Sequence, residues 1–192
     1  MIKLFEINRQ LLKSQLHGTE ASGGVCSAAS IDFCYNELSG FHRALVPFEY
    51  VLYYSTSARF LANQLNYINN FRQGRIRSWQ NITPKDGLNA RLSRVTSHWE
   101  KLLDLKPGVY LVNMSLRKGT GHSIVLAKRE FWVCFNSAFG AWVFDKGIDE
   151  LISFLKTVFP VKKIWAIAVT RNEQFPVRNN PIKTFVTGPV YY

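Results

Sequence analysis

Acidic residues are scarce in this chain: 13 Asp and Glu stand against 24 Lys and Arg, leaving a formal charge of +11. Long apolar runs are missing as well. No stretch approaches the ~20 residues a helix needs to cross a bilayer. The first eighteen residues are broken by Lys3, Glu6, Arg9 and Lys13, and so lack the apolar core and cleavage site of a Sec signal. Cysteine is limited to Cys26, Cys34 and Cys134. An odd number without framework spacing excludes a disulfide-stapled fold and points to a reducing compartment. With no C-x-x-C pair, neither a structural zinc site nor any other metal or cofactor is expected. No internal repeat and no nucleic-acid motif is present, which makes nucleic acid an improbable partner despite the charge.

What remains is a composition for one compact core. Of 192 residues, 47% are hydrophobic and 14% aromatic, enough for a single globular domain. The basic excess is densest from Arg72 to Arg94, where six basic residues (Arg72, Arg75, Arg77, Lys85, Arg91, Arg94) face one acid, Asp86. Such a surface suits an acidic protein partner or an anionic membrane surface.

Three segments are expected: an amphipathic N-terminal segment at 1–21, a central domain at 22–170 and a tail at 171–192. Leu4, Ile7 and Leu11, with Phe5, Leu12 and Leu16, predict a short helix over Ile2 to Leu16. Helices are also predicted from Val25 to about Gly40, after Pro47 (Val51, Tyr54, Ala58, Leu61, Leu65, Ile68) and from Leu88 to Leu105. Beyond Pro107-Gly108 the pattern alternates. Strands are predicted at Val109–Met114, His122–Ala127, Phe131–Phe135, Ala141–Phe144 and Lys163–Thr170, with one helix inserted at Asp149–Phe159. Helices followed by a mostly antiparallel sheet is an α+β signature.

Three residues in this frame have the makings of a catalytic set. Cys26 opens a predicted helix behind Gly23-Gly24, where backbone N–H groups and the helix dipole favour a thiolate. Its amide there is also an oxyanion donor. His122 stands at the mouth of an apolar strand behind Gly119-Thr120-Gly121, a placement suited to a general base. Asn136 lies fourteen residues later, at the end of the next strand. A hairpin returns it beside His122, where its carbonyl would fix the imidazole tautomer. Each also has an ordinary reading: an inert buried thiol, a solvated strand-end histidine, a turn asparagine bonded to its own backbone. Asp145, at the far end of the following strand, is the alternative third member. Asp32 and Glu37 read as surface charges on the Cys26 helix, and Cys34 reads as core. Trp132, Phe139, Trp142 and Trp165 read mainly as sheet packing, with a groove-lining role as the alternative.

The stretches Gly24-Val25-Cys26-Ser27-Ala28-Ala29-Ser30, Gly121-His122-Ser123-Ile124-Val125 and Phe135-Asn136-Ser137-Ala138-Phe139-Gly140 resemble the YopT-like family of bacterial effector cysteine proteases. That resemblance implies a papain-like fold, Cys26 as nucleophile, His122 as base and Asn136 where the family carries Asp. It implies a secreted effector lacking a cleavable Sec signal that acts on a host protein, such as a signalling protein, in the target-cell cytoplasm; otherwise the protein is cytoplasmic. The family's side-chain oxyanion donor has no counterpart at Glu20 or Ala21, so that duty falls to Ser22 or Thr19. Glutamine deamidation and acyl transfer use the same site chemistry and stay open beside proteolysis, as does an inactive binding module. Sequence leaves the oligomeric state open.

Overall fold

The computed structural model describes residues 1–17, 26–39, 87–145 and 147–174. Its centre is a seven-stranded antiparallel sheet in the order β1-β6-β5-β4-β3-β7-β2. The strands are β1 (Ile2–Glu6), β2 (Leu88–Thr96), β3 (Gly108–Leu116), β4 (Gly121–Lys128), β5 (Trp132–Asn136), β6 (Gly140–Phe144) and β7 (Val161–Arg171). Helix α1 (Arg9–Leu16) follows β1, α2 (Cys26–Ser39) packs on one face, and α3 (Ile148–Val158) packs on the other. This is the α+β, papain-like architecture expected from the sequence.

Side chains alternate between the two faces of a strand, and two cores result. Val109, Leu111, Val125, Ala127, Val133 and Phe135 meet α2. Val112, Met114, Ile124, Leu126, Trp132 and Cys134 meet α3 and the short 3-10 turn Trp99–Leu102. The Phe33 and Phe135 rings stack in the first core, with centroids 4.2 Å apart. That contact fixes the height of α2 over the sheet and hence where its first residue falls.

Three expectations are corrected. The helix foreseen from Ile2 begins only at Arg9, because Ile2–Glu6 pairs with β6 as an edge strand. The helix foreseen over Leu88–Leu105 is β2, at the other edge, followed by the 3-10 turn. Asp32 and Glu37 are buried, at 8% and 2% exposure. Asn36 Nδ2 donates to Asp32 Oδ2 at 3.0 Å, and Arg129 pairs with Glu37 at 2.8 Å. Buried carboxylates need such partners to offset lost hydration. The remaining strands and α3 match within about two residues. The helix expected after Pro47, the basic run before Arg91 and the tail beyond Gln174 lie outside the described residues.

Candidate active site

The site lies at the end of the sheet where β4 and β5 stop pairing. Their ladder runs from Lys128↔Trp132 to Val125↔Phe135. Beyond it, His122–Ile124 keep partners on β3 alone among the described residues. Helix α2 packs chiefly on β4 and β3 and delivers Cys26, its first residue, to this opening.

His122 and Asn136 share a face, since His122 lies in phase with Leu126 and Asn136 with Cys134, its cross-strand partner. Their side chains meet: His122 Nε2 is 3.3 Å from Asn136 Oδ1. The same oxygen accepts the Ala138 N–H at 2.9 Å, which fixes the amide orientation. Oδ1 can only accept, so Nε2 carries the proton and Nδ1 is left as the basic nitrogen. The two readings of Asn136, turn former and histidine partner, thus hold together in one atom. Phe159 stacks on the imidazole, with centroids 5.3 Å apart and planes at 25°. Its backbone carbonyl is in turn held by Trp99 Nε1 at 3.2 Å.

Cys26 is half-buried. Burial pushes its thiol pKa up, but the hydrogen bond and charge of His122, the Ser123 N–H and the Ser27 hydroxyl outweigh burial, and the net shift is downward. For His122 burial favours the neutral ring. Bonding and charge from Cys26, with the Asn136 bond, prevail over burial and the nearby Arg9 charge, and its pKa rises. Apart from burial, each group is shifted mainly by the other, in the directions that favour a thiolate beside an imidazolium. The other cysteines behave oppositely. Burial, with Glu37 and Asp32 nearby, raises Cys34 strongly, and burial alone pushes Cys134 up to about 12.

A polar chain supports the sulfur from the α2 face. Ser27 Oγ and Ser123 Oγ are 3.0 Å apart, and Ser123 donates to Asn113 Oδ1 at 2.7 Å. Ser123 thereby commits its single hydroxyl proton. Ser27 has one proton to give, either to Ser123 or to the sulfur.

Sequence reasoning missed Ser27, Ser123, Asn113, Arg9 and Phe159. Ser27 and Ser123 directly follow Cys26 and His122, a signal available to inspection. Phe159 and Asn113 carry none, because only the fold brings them near. Asp145 is not part of this group. It sits past the opposite end of β6, 42% exposed, with the N-terminal amine 3.5 Å away. Trp132 and Trp142 pack in the α3 core, whereas Phe139 remains 36% exposed beside the site turn. Ser22 and Thr19 lie outside the described residues.

No family model matches the sequence, and no curated protein matches it either. Comparison of folds is more informative. The chain is similar in fold to the Pseudomonas avirulence protein AvrPphB. The TM-score against that crystal structure is 0.57 at 13% identity, over 81% of this chain and 94% of AvrPphB. At that identity the likeness to AvrPphB is one of fold, and the chemistry rests on the residues above. Among the described residues, no helix is long and apolar enough to cross a membrane.

The Asn136 contact makes a prediction. Asn136 Nδ2 is buried with no partner among the described residues, so the amide offers the imidazole only its oxygen. Asn136→Ala is expected to lower kcat/KM about 10²-fold by freeing the ring. Asn136→Asp is expected to keep most activity and to move the alkaline limb of the pH–rate profile upward, because a carboxylate stabilises imidazolium more than an amide does. A pH profile of both variants, beside wild type, checks the direction.

Proposed function

We propose that the chain is a thiol protease of the YopT-like effector type, with Cys26 as nucleophile, His122 as general base and acid, and Asn136 as the orienting residue. The observation that carries this reading is the His122–Asn136 hydrogen bond beside a thiol shifted down and an imidazole shifted up by their mutual interaction. The fold shared with AvrPphB is consistent with it.

In this reading the Cys26 sulfur attacks the scissile carbonyl carbon, and the π-electrons move to oxygen. The Cys26 amide at the start of α2 and a donor from Ser22 or Thr19 receive the oxyanion. The His122 imidazolium gives its proton to the departing amine as the C–N bond breaks, leaving a thioester on Cys26. His122, now neutral, takes a proton from water. The hydroxide oxygen displaces the thiolate, and the acid product leaves. Asn136 keeps the Nε2 proton in place throughout, so Nδ1 faces the sulfur. Trp99 and Phe159 form an apolar backing that limits water behind the ring.

The substrate is a protein, in keeping with secretion into a host or target cell and action on a host signalling protein in its cytoplasm. Contact with an anionic membrane surface would be compatible with the charge of +11. The test is mass spectrometry of target-cell proteins incubated with wild type and with Cys26→Ser. Proteolysis predicts new termini made by wild type alone. A gain of about one dalton on glutamine without new termini would replace proteolysis by deamidation. An effect on target cells undiminished in Cys26→Ser would mark a binding module instead.

A further inference from the structure

Charge is distributed unevenly along the strands. At the His122 end of the sheet the described acids are Glu6 and Glu100, and each is bound to a lysine, Lys3 and Lys156. The opposite end carries Asp104, Glu130, Asp145, Asp149, Glu150 and Glu173, mixed with basic residues. Five exposed cations surround the His122 end: Arg9, Arg117, Lys118, Lys162 and Lys163. None of them is in an ion pair among the described residues.

Local structure holds these cations around the site. Arg117 and Lys118 form the β3–β4 turn that leads into Gly121 and His122. Arg117 N donates to Pro160 O at 2.9 Å, which sets the turn beside Lys162 and Lys163 at the start of β7. Lys163 Nζ lies 5.4 Å from the Trp165 ring centroid, on the face that carries α2. On the other flank, the Arg9 guanidinium lies 5.5 Å from the centroid of the exposed Phe139 ring. Ile7 N donates to Phe139 O at 3.0 Å and ties that flank to the site turn.

We infer that this rim binds an acidic stretch of polypeptide substrate flanking the bond at Cys26. The inference rests on Cys26 being the nucleophile and adds the class of its substrate. Like charges gathered around one site, without ion-pair partners among the described residues, create a field that raises the local concentration of an anionic ligand. The Arg9 charge also opposes imidazolium at His122, and a substrate carboxylate on Arg9 relieves that opposition. A polypeptide fits better than a lipid surface. Membrane docking needs several apolar side chains to insert together beside the cations, and the large exposed hydrophobics described at this end, Phe139 and Val95, lie towards opposite edges of the sheet.

The test uses two peptidyl acyloxymethyl ketones that differ only in Glu against Gln at positions flanking the reactive carbonyl. Intact-mass labelling of Cys26 gives the rate with each. Wild type is expected to react about tenfold faster with the Glu probe at low salt, with the ratio approaching one near 0.5 M salt. In Arg117→Ala/Lys118→Ala combined with Lys162→Ala/Lys163→Ala, verified as folded by circular dichroism, the ratio falls towards one at all salts. Equal rates in wild type, or a Glu preference that survives the substitutions, overturn the inference. Equal rates combined with flotation on phosphatidylserine vesicles that those substitutions abolish overturn it in favour of a membrane. Iodoacetamide labelling in parallel separates the two levels: if Cys26 is inert to iodoacetamide at neutral pH, the nucleophile assignment falls and this inference falls with it.

Discussion

His122→Ala is expected to lower kcat/KM for cleavage of a target polypeptide by about 10³-fold or more, with the fold intact. Two losses combine. General acid–base assistance alone is worth roughly 10²–10⁴-fold. The thiolate is lost as well: an ordinary thiol, with pKa about 8.5, is only about 3% ionised at pH 7. With the imidazole gone, burial pushes the Cys26 thiol up with less to oppose it. The sign of the pH dependence follows from the paired shifts. Cys26 is lowered, so the acid limb lies below the ordinary thiol range. His122 is raised, so the alkaline limb lies above the ordinary imidazole range. The rate is expected to be highest between the two limbs, where a thiolate faces an imidazolium. Circular dichroism of His122→Ala, beside peptide hydrolysis from pH 5 to 10, tests both parts. The structural cost is expected to be small because the ring lies at the edge of the core, stacked on Phe159.

Gly140→Ala is expected to be the most damaging single-methyl change near the site, at about 3–5 kcal/mol of unfolding free energy. Gly140 has φ +117, a conformation that L residues avoid. A Cβ there would also run into the Phe5 carbonyl oxygen, with Glu6 Cα 2.8 Å away. Both neighbours are backbone, so the clash is relieved only by separating β1 from β6, which pair through Phe5↔Ala141 and Glu6↔Gly140. Activity should fall with stability, since the turn from Asn136 to Gly140 is closed by the Phe139 N–H on Asn136 O at 3.0 Å. Urea denaturation gives the stability change. Hydrogen exchange is expected to show early opening of β1. A variant as stable as wild type would mean that β1 does not press on Gly140.

The same glycine shows why part of the site was legible. Phe135-Asn136-Ser137-Ala138-Phe139-Gly140 carries a turn signal between two buried strands, and hairpin geometry then brings Asn136 back to His122. That inference used only local periodicity and the alternation of faces. The helix at Cys26 was legible for the same reason.

The errors fall at the sheet edges. In β1 only Phe5 is buried, and in β2 only Leu88. With one buried residue a strand has no alternation to display. The spacings of Leu4, Ile7 and Leu11, or of Leu88, Leu92 and Val95, therefore imitate a helix. Pairing with β6 and β7 decides the outcome, and that is a tertiary effect. Burial of Asp32 and Glu37 was hidden likewise, because Arg129 meets Glu37 from 92 residues away in sequence. The supports of Cys26 from Ser123 and Asn113 depend on β3 and β4 lying in register, Asn113↔Ser123.

The account depends on Cys26 being a thiolate that His122 maintains. The rate of Cys26 alkylation by iodoacetamide from pH 4 to 10, followed by intact mass in wild type and His122→Ala, tests it most directly. Wild type is expected to react through a thiolate that persists well below the ordinary thiol range, with Cys34 and Cys134 unlabelled. In His122→Ala the curve should move to the range of an ordinary thiol or above, with a rate at pH 7 about thirtyfold lower or more. Superimposable curves for the two proteins, or a Cys26 that stays unlabelled at neutral pH, would contradict the account.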